Sequence, residues 1–270
     1  MSRVADAFAA ARRDGRVAFI AYLTAGDPDA EATVALARAL DRAGADVLEL
    51  GVPFTDPIAD GPVLQRAASR ALAAGTSLAR VFEIARRIRR ETRLALLLFT
   101  YLNPLHRRGI ARAAGEAKAA GFDAVLVTDL PPEEAPEIAA AFRAAGLDTV
   151  FLASPTSPPA RMRAAARLSS GFLYVVSRPG TTGARTSLPR DLAATARRAR
   201  RAAGGLPIAI GFGISTPESA RRAARLADGV VVGSALVAAA ERAGPDRARA
   251  VEEVERLGRG LAGACRRGEP

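Results

Sequence analysis

Eight short apolar runs alternate along this chain with longer stretches rich in Ala and Arg, and this alternation is what most constrains its fold. The runs are apolar along nearly their whole length, which is typical of parallel strands covered on both faces. We therefore predict strands at residues 17–23, 47–51, 94–100, 124–127, 149–152, 173–177, 208–211 and 229–232. The stretches between them predict helices, among them residues 30–43, 63–74, 133–144 and 217–225.

Eight strands that alternate with helices indicate an α/β chain closed into a (β/α)8 barrel, a TIM barrel. The main alternative is an open doubly wound sheet. It is disfavoured because the first strand–helix junction, residues 24–28 (TAGDP), lacks a G-x-G-x-x-G fingerprint. A length of 270 residues suits one barrel, so we predict a single TIM-barrel domain over residues 1–270. Residues 1–16 have an amphipathic pattern, which predicts an extra N-terminal helix.

The composition of the chain disfavours several classes of function. The formal net charge is +11, but the arginines are spread over many predicted helices and aromatic residues make up only 5%, so we predict no nucleic-acid binding. No apolar run reaches the roughly 18 residues that span a bilayer, and we predict no membrane association. The single cysteine, Cys265, cannot form an internal disulfide, which favours a cytoplasmic protein.

Glycine and polar residues collect after the predicted strands, which is where TIM barrels place their sites. Glycine-bearing turns follow the last two strands at residues 211–213 and 233–235, and Thr182 and Gly183 follow the sixth strand. Glycine lets backbone N–H groups approach an anion, and a helix that starts after Gly233 adds its positive end. Each turn alone is equally compatible with a plain tight turn. Together they predict a phosphate site.

Two acidic residues are candidates for proton transfer. Glu49 interrupts an apolar strand, where a charge is unfavourable unless it is paired or used in chemistry. Burial favours its protonated form, which suits a proton donor, whereas the alternative is a structural glutamate paired with a neighbour. The long loop after the same strand carries Asp60, which either covers the barrel mouth or serves a turn. Asp129, after the fourth strand, has the same two interpretations.

Other mechanisms lack the residues they need at the strand ends. His106 is the one histidine, which disfavours a metal site built from several ligands. Lys118, the one lysine, lies in a predicted helical run at residues 111–120, which disfavours a Schiff base. We therefore predict no metal and no cofactor in this chain. The remaining chemistry is proton transfer by carboxylates on a phosphorylated small molecule.

Residues 48–65 (LELGVPFTDPIADGPVLQ) resemble the signature segment of the tryptophan synthase alpha chain family. Further similar motifs follow at residues 24–28, 103–104, 129–131, 180–183, 211–214 and 233–234, so the resemblance runs from the first predicted strand to the last. It implies a lyase that cleaves indole-3-glycerol phosphate to indole and D-glyceraldehyde 3-phosphate by a retro-aldol reaction. This reaction belongs to the last steps of L-tryptophan biosynthesis.

The resemblance also implies roles for single residues. Glu49 would move protons at indole C3 and at the side-chain hydroxyl, and Asp60 would accept a hydrogen bond from the indole N–H. Thr182 would help to close the loop after the sixth strand over Asp60. The indole ring would lie among Tyr22, Leu98, Tyr101, Asp129 and Phe212. The phosphate would be held by Gly183, Gly213, Gly233 and Ser234.

The family works as a complex of two alpha and two beta chains, so the resemblance implies a beta-chain partner. Pyridoxal phosphate is expected on the beta chain alone. Residues 53–60 and 103–109 are the expected contact surfaces, with plain solvated loops as the alternative. Two other functions stay open. One is another phosphate-binding biosynthetic barrel, and the other is a non-catalytic barrel that activates a beta chain, against which the presence of Glu49 and Asp60 argues.

Overall fold

The strands form a closed parallel barrel in sequence order, with the eighth strand beside the first. The structure is a computed structural model that describes residues 2–177 and 191–266. Both the predicted barrel and its eight strands are confirmed, and the predicted bounds differ by at most one residue at each end. The strands are β1 (Ala18–Thr24), β2 (Val47–Gly51), β3 (Ala95–Thr100), β4 (Ala124–Val127), β5 (Asp148–Ala153), β6 (Leu173–Val176), β7 (Ile208–Gly211) and β8 (Gly229–Val232).

Helices surround the barrel, as the alternating pattern predicts. Those in the described ranges are α1 (Arg3–Arg13), α2 (Ala30–Ala43), α3 (Pro62–Ala73), α4 (Leu78–Glu91), α5 (Leu102–Arg108), α6 (Ile110–Ala119), α7 (Pro136–Ala144), α8 (Pro159–Leu168), α9 (Leu192–Ala203), α10 (Pro217–Ala224), α11 (Ser234–Arg242) and α12 (Arg247–Ala264). None of them is long and apolar enough to cross a membrane.

The ends of these helices follow their local sequence. Thr216 accepts a hydrogen bond from the backbone N–H of Ser219 in a capping box, with Pro217 in the first turn of α10. The helix predicted at residues 133–144 starts later, at Pro136. Proline has no backbone N–H with which to continue a helix that started earlier, and it fits the first turn of a helix, so α7 begins at the proline.

The side chains of each strand are divided between two hydrophobic layers, one inside the barrel and one between the barrel and the helices. Residues that are paired across parallel strands point to the same face, and their sequence neighbours point to the other. Leu97 and Phe99 of β3 belong to the cluster inside the barrel. Leu48, Leu50 and Leu98 belong to the cluster between the barrel and the helices. The inner layer therefore decides which strand residues reach a site in the barrel mouth.

The barrel has two distinct ends. We call the end at the C-terminal ends of the strands the carboxyl face and the opposite end the amino face. Helix α1 covers the amino face, with Val4 and Phe8 buried and the Phe8 ring 5.4 Å from that of Phe172. A Cβ atom added at Gly229 would lie 3.0 Å from the Phe8 ring. The predicted N-terminal helix is confirmed, and it leaves the carboxyl face as the open end.

Candidate active site

Glu49 lies in β2 and faces the barrel interior, because it is in register with Tyr22 of β1 and Leu97 of β3. The residue is only 1% exposed. Burial raises the pKa of its carboxyl group to about 8. Its Oε1 atom has no hydrogen-bond partner within the described part of the chain. Glu49 is therefore a largely protonated acid at neutral pH, and not a structural glutamate paired with a neighbour.

Asp60 lies in the loop between β2 and α3 and is also buried. Burial raises the pKa of its carboxyl group to about 6, although the hydrogen bond from Tyr101 lowers it. The Tyr101 hydroxyl donates to Asp60 Oδ2 at 3.1 Å, and Asp60 Oδ1 has no partner among the residues described. Asp60 is therefore mostly ionised at neutral pH and has one free acceptor atom.

Tyr101 and Gln65 fix the position of the Asp60 loop. The backbone N–H of Ala59 donates to the Tyr101 hydroxyl at 3.1 Å, and Gln65 Nε2 donates to the backbone oxygen of Asp60 at 2.8 Å. The Tyr101 ring stacks on Phe54, with ring centroids 5.0 Å apart. The loop is thus held from β3 on one side and from the first turn of α3 on the other.

Tyr22 lies close enough to the carboxyl groups of Asp60 and Glu49 for their charges to act on its hydroxyl group. Burial raises its pKa, and the charges of Asp60 and Glu49 raise it further. Its ring meets Phe99 edge-on, with centroids 5.2 Å apart. A Cβ atom at Gly51 would lie 2.1 Å from the Tyr22 hydroxyl, so the ring occupies space that only a glycine in β2 leaves open.

A pocket opens between Glu49 and the ends of β7 and β8. Six of its lining residues were predicted from the sequence, and five others were missed. The predicted ones are Tyr22, Glu49, Phe212, Gly213, Gly233 and Ser234, and the missed ones are Leu64, Phe99, Tyr174, Ile214 and Val231. Most of the wall is apolar, which suits a flat hydrophobic ring.

The far end of the pocket is built from backbone. Phe212 and Gly213 have positive φ angles of 69° and 80°, so the chain turns sharply after β7. The Ser177 hydroxyl donates to the backbone oxygen of Phe212 and supports this turn. Helix α11 begins at Ser234 with no side-chain cap and no acidic residue in its first turn. Such a helix start, beside a glycine turn, favours an anion.

The groups that other mechanisms would need lie away from this pocket. His106 is exposed on α5, and Lys118 is exposed on α6, where its Nζ donates to the backbone oxygen of Gly146 at 2.7 Å. Cys265 is buried after α12, and burial raises its pKa to about 12. Residues 2–177 and 191–266 contain no cluster of three or more His, Cys, Asp or Glu that could hold a metal. Glu49 is the acid that lines the pocket, and the charge of Asp60 acts on Tyr22 in its wall.

Comparison with known proteins decides the family. The family model described as tryptophan synthase alpha chain matches residues 8–266. The tryptophan synthase alpha chain of Solibacter usitatus is 55% identical over 237 residues, which cover 88% of each chain. That of Citrifermentans bemidjiense is 48% identical over 268 residues, or 99% of this chain and 98% of its relative. This chain belongs to the tryptophan synthase alpha chain family.

Solved structures of the family share the fold. A tryptophan synthase structure from Mycobacterium tuberculosis matches with a TM-score of 0.90 and 34% identity and covers 99% of both chains. The alpha subunit from Legionella pneumophila matches with a TM-score of 0.87 and 36% identity and covers 98% of both. Membership of this family makes the chain the alpha subunit of a lyase in tryptophan biosynthesis.

Four predicted residues that the structure describes, Asp60, Leu98, Tyr101 and Asp129, are not among the lining residues of this pocket. Leu98 points to the helices, so its assignment to the indole pocket is wrong, and Phe99, one residue later, faces inward instead. Asp129 is exposed, and its Oδ1 accepts a hydrogen bond from the backbone N–H of Leu102 at 2.7 Å, which makes it a helix cap. Thr182 and Gly183 fall in residues 178–190, outside the described residues.

Proposed function

We propose that this pocket cleaves indole-3-glycerol phosphate to indole and D-glyceraldehyde 3-phosphate by a retro-aldol reaction. The observation that supports this most strongly is Glu49, a buried acid with a free oxygen atom and a pKa raised to about 8. The reaction needs a group that still holds a proton at neutral pH and can donate it to a ring carbon. A glutamate in water is ionised at that pH and could not serve.

In the proposed reaction Glu49 acts twice. It first donates its proton to indole C3, which turns the ring into a cation and weakens the bond from C3 to the side chain. The resulting carboxylate then takes the proton of the side-chain hydroxyl. The oxygen forms the aldehyde carbonyl, the C–C bond breaks, and its electrons return to the ring and restore indole. Glu49 ends protonated, so the cycle consumes no proton.

Asp60 stabilises the ring cation in this scheme. Its free Oδ1 atom would accept the indole N–H, and its negative charge would face the positive charge that develops on the ring. Tyr101 holds the other oxygen at 3.1 Å and keeps the carboxylate aimed at the ring. We propose that the ring lies among Tyr22, Phe99 and Phe212, with Tyr101 behind Asp60.

The phosphate of the substrate would bind at the other end of the pocket. We propose Gly213, Gly233 and Ser234 as its ligands, because the turn after β7 and the uncapped start of α11 present backbone N–H groups there. Gly183 is proposed as a further phosphate ligand and Thr182 as a loop-closing residue, from the alpha-chain resemblance alone. The scheme needs no metal or cofactor in this chain.

We further propose a tryptophan synthase beta chain as partner, in a complex of two alpha and two beta chains, with pyridoxal phosphate on the beta chain. Residues 53–60 and 103–109 are the proposed contact surfaces. Ile58, in the first of them, is 77% exposed and is the one large hydrophobic side chain so exposed in the described ranges. A single TIM-barrel domain over residues 1–270 and a cytoplasmic location complete the proposal.

Indole release tests the function directly. The purified chain is incubated with indole-3-glycerol phosphate, alone and with a tryptophan synthase beta chain, and free indole is measured over time. We expect release in both cases and faster release with the beta chain. No release in either case, with the beta chain still activated, would instead support a non-catalytic barrel. No release and no activation would support a barrel of another pathway.

A further inference from the structure

Arg70 joins three parts of the carboxyl face. Its Nε and Nη2 atoms donate to the two carboxylate oxygens of Asp27 at 2.7 and 2.9 Å. Its Nη1 atom donates to Glu241 Oε1 at 2.6 Å. Arg66, one turn earlier on the same helix, donates to both oxygens of Glu241 at 2.8 and 2.7 Å. We call these four residues the Arg70 network.

Each part of this network lies on, or shortly after, an element that also builds the pocket. Asp27 follows β1, which carries Tyr22. Arg70 lies on α3, which starts two residues after Asp60 and supplies Leu64 to the pocket wall. Glu241 lies on α11, whose first residue, Ser234, lines the proposed phosphate end. None of the four side chains lines the pocket or takes part in the proposed reaction.

The chemistry of the network suits a rigid connection. Asp27 is 9% exposed, and the planar guanidinium of Arg70 meets its carboxylate in a two-point contact that fixes direction as well as distance. The hydrogen bonds from Arg66 and then Arg70 lower the pKa of Glu241 to about 2. Glu241 therefore keeps its charge throughout the pH range in which the proposed acid–base pair would work.

We infer that Arg70 is a positioning residue, which sets the separation between the Asp60 carboxylate and the phosphate-binding end of the pocket by holding α3 against α11. The inference rests on the proposed function, since it concerns the span of a substrate that must reach both ends at once. A substrate held at the phosphate end finds Asp60 at the right distance from its ring N–H only while α3 is fixed relative to α11.

The test compares two ligands of different length. We expect Arg70→Met to lower kcat/KM for indole-3-glycerol phosphate by about 10- to 100-fold, because a misplacement of about 1 Å is enough for such a loss. Inorganic phosphate, used as a competitive inhibitor, touches the phosphate end alone. Its inhibition constant should change by less than about twofold, because the turn after β7 and the start of α11 are left as they are.

Arg89→Met is the matched control. Arg89 is a partly buried arginine at the amino face that donates to Asp123 and to the backbone oxygens of Leu94 and Gly121. Its loss should lower stability in urea unfolding and leave both constants unchanged. Arg70→Lys keeps the charge and loses the two-point contact, so it should lie between wild type and Arg70→Met. It also replaces Arg70→Met if that variant does not fold.

Three results would overturn the inference. They are near-normal kcat/KM in the Arg70 variants, equal kinetic losses in Arg70→Met and Arg89→Met at similar stability, or a parallel weakening of phosphate inhibition and kcat/KM. The wild-type chain is assayed first. An inactive wild type would refute the proposed function, whereas an active wild type with normal Arg70 variants would refute the positioning role alone.

Discussion

Three carboxylates at the amino face of this barrel and two at its carboxyl face have opposite surroundings, although Asp148 at the amino face also keeps one buried oxygen without a partner among the described residues. At the amino face, three aspartates each precede a strand, accept the backbone N–H of a residue on a neighbouring strand and form an ion pair with an arginine. They are Asp46 with Phe19 and Arg16, Asp123 with Leu96 and Arg89, and Asp228 with Ile208 and Arg200. At the carboxyl face, Glu49 and Asp60 each keep a buried oxygen atom without a hydrogen-bond partner among the described residues.

The difference separates two uses of the same chemical group. A carboxylate that accepts from several donors ties strands together, so its contribution is to stability. A carboxyl group that is buried with few or no donors has a raised pKa and keeps an atom available to a ligand. Substitution of the carboxyl-face residues should therefore lower activity, and substitution of the amino-face aspartates should lower stability.

The largest expected effect is the loss of indole-release rate in the Glu49→Gln variant. The amide keeps the shape of the side chain but cannot deliver a proton, so kcat for indole release should fall by about 10²–10⁴-fold. Inhibition by inorganic phosphate should be unchanged, because that end of the pocket is intact. Turnover close to wild type would remove Glu49 from the reaction and erase the contrast between the two faces.

Asp123→Ala should show the reverse pattern. It leaves Arg89 and the N–H of Leu96 without their carboxylate, and loss of one partner of a largely buried pair lowers the free energy of unfolding by about 3 kcal/mol. Urea unfolding at pH 7 measures this loss. Indole release below the unfolding range should keep its wild-type rate. A large kinetic defect in the folded variant would mean that the amino face also serves catalysis.

The pH dependence of kcat/KM should be bell-shaped. Asp60, with a pKa of about 6, must be ionised, and Glu49, with a pKa of about 8, must be protonated. Activity should fall about tenfold per pH unit below the first value and above the second. In Glu49→Gln the residual activity should lose the alkaline limb. A flat profile from pH 5 to 9, roughly the span of both limbs, would contradict these assignments.

The smallest effect expected is that of Tyr101→Phe. The ring keeps its stacking on Phe54 but loses the hydroxyl that donates to Asp60, and a hydrogen bond to a charged group is worth about 1.5–3 kcal/mol. We expect a loss of about 10- to 100-fold in kcat/KM. That hydrogen bond lowers the pKa of Asp60, so its removal should move the acidic limb to higher pH. An unmoved limb would show that Tyr101 does not act on Asp60.

Much of the fold could be predicted from the sequence because each strand carries its own signal. Apolar runs of four to seven residues between helical stretches located every strand, and Glu49 stood out as a charge inside such a run. The glycine turns after β7 and β8 were also visible in the sequence, since tight turns depend on local residue type.

The misses share a different cause, which is dependence on distant pairing. Leu98 and Phe99 are both apolar, and only the register of β3 against β2 and β4 decides which one faces inward. Arg70 meets partners 43 and 171 residues away in sequence, and no local pattern predicts such contacts. Asp129 follows a strand as a site residue would, but its carboxylate is used to cap α5.

The unpartnered oxygen of Glu49 has a consequence for how such an enzyme can evolve. Its folded pKa of about 8 exceeds the ordinary value of 4.5, so a stability contribution that is complete below pH 4.5 is lost as the pH rises through 8. Glu49→Gln should therefore unfold at higher urea than wild type at pH 8 and at nearly the same urea at pH 4. In a lineage that is supplied with tryptophan and selected for heat tolerance, this single substitution would give a barrel that is more stable and catalytically inactive.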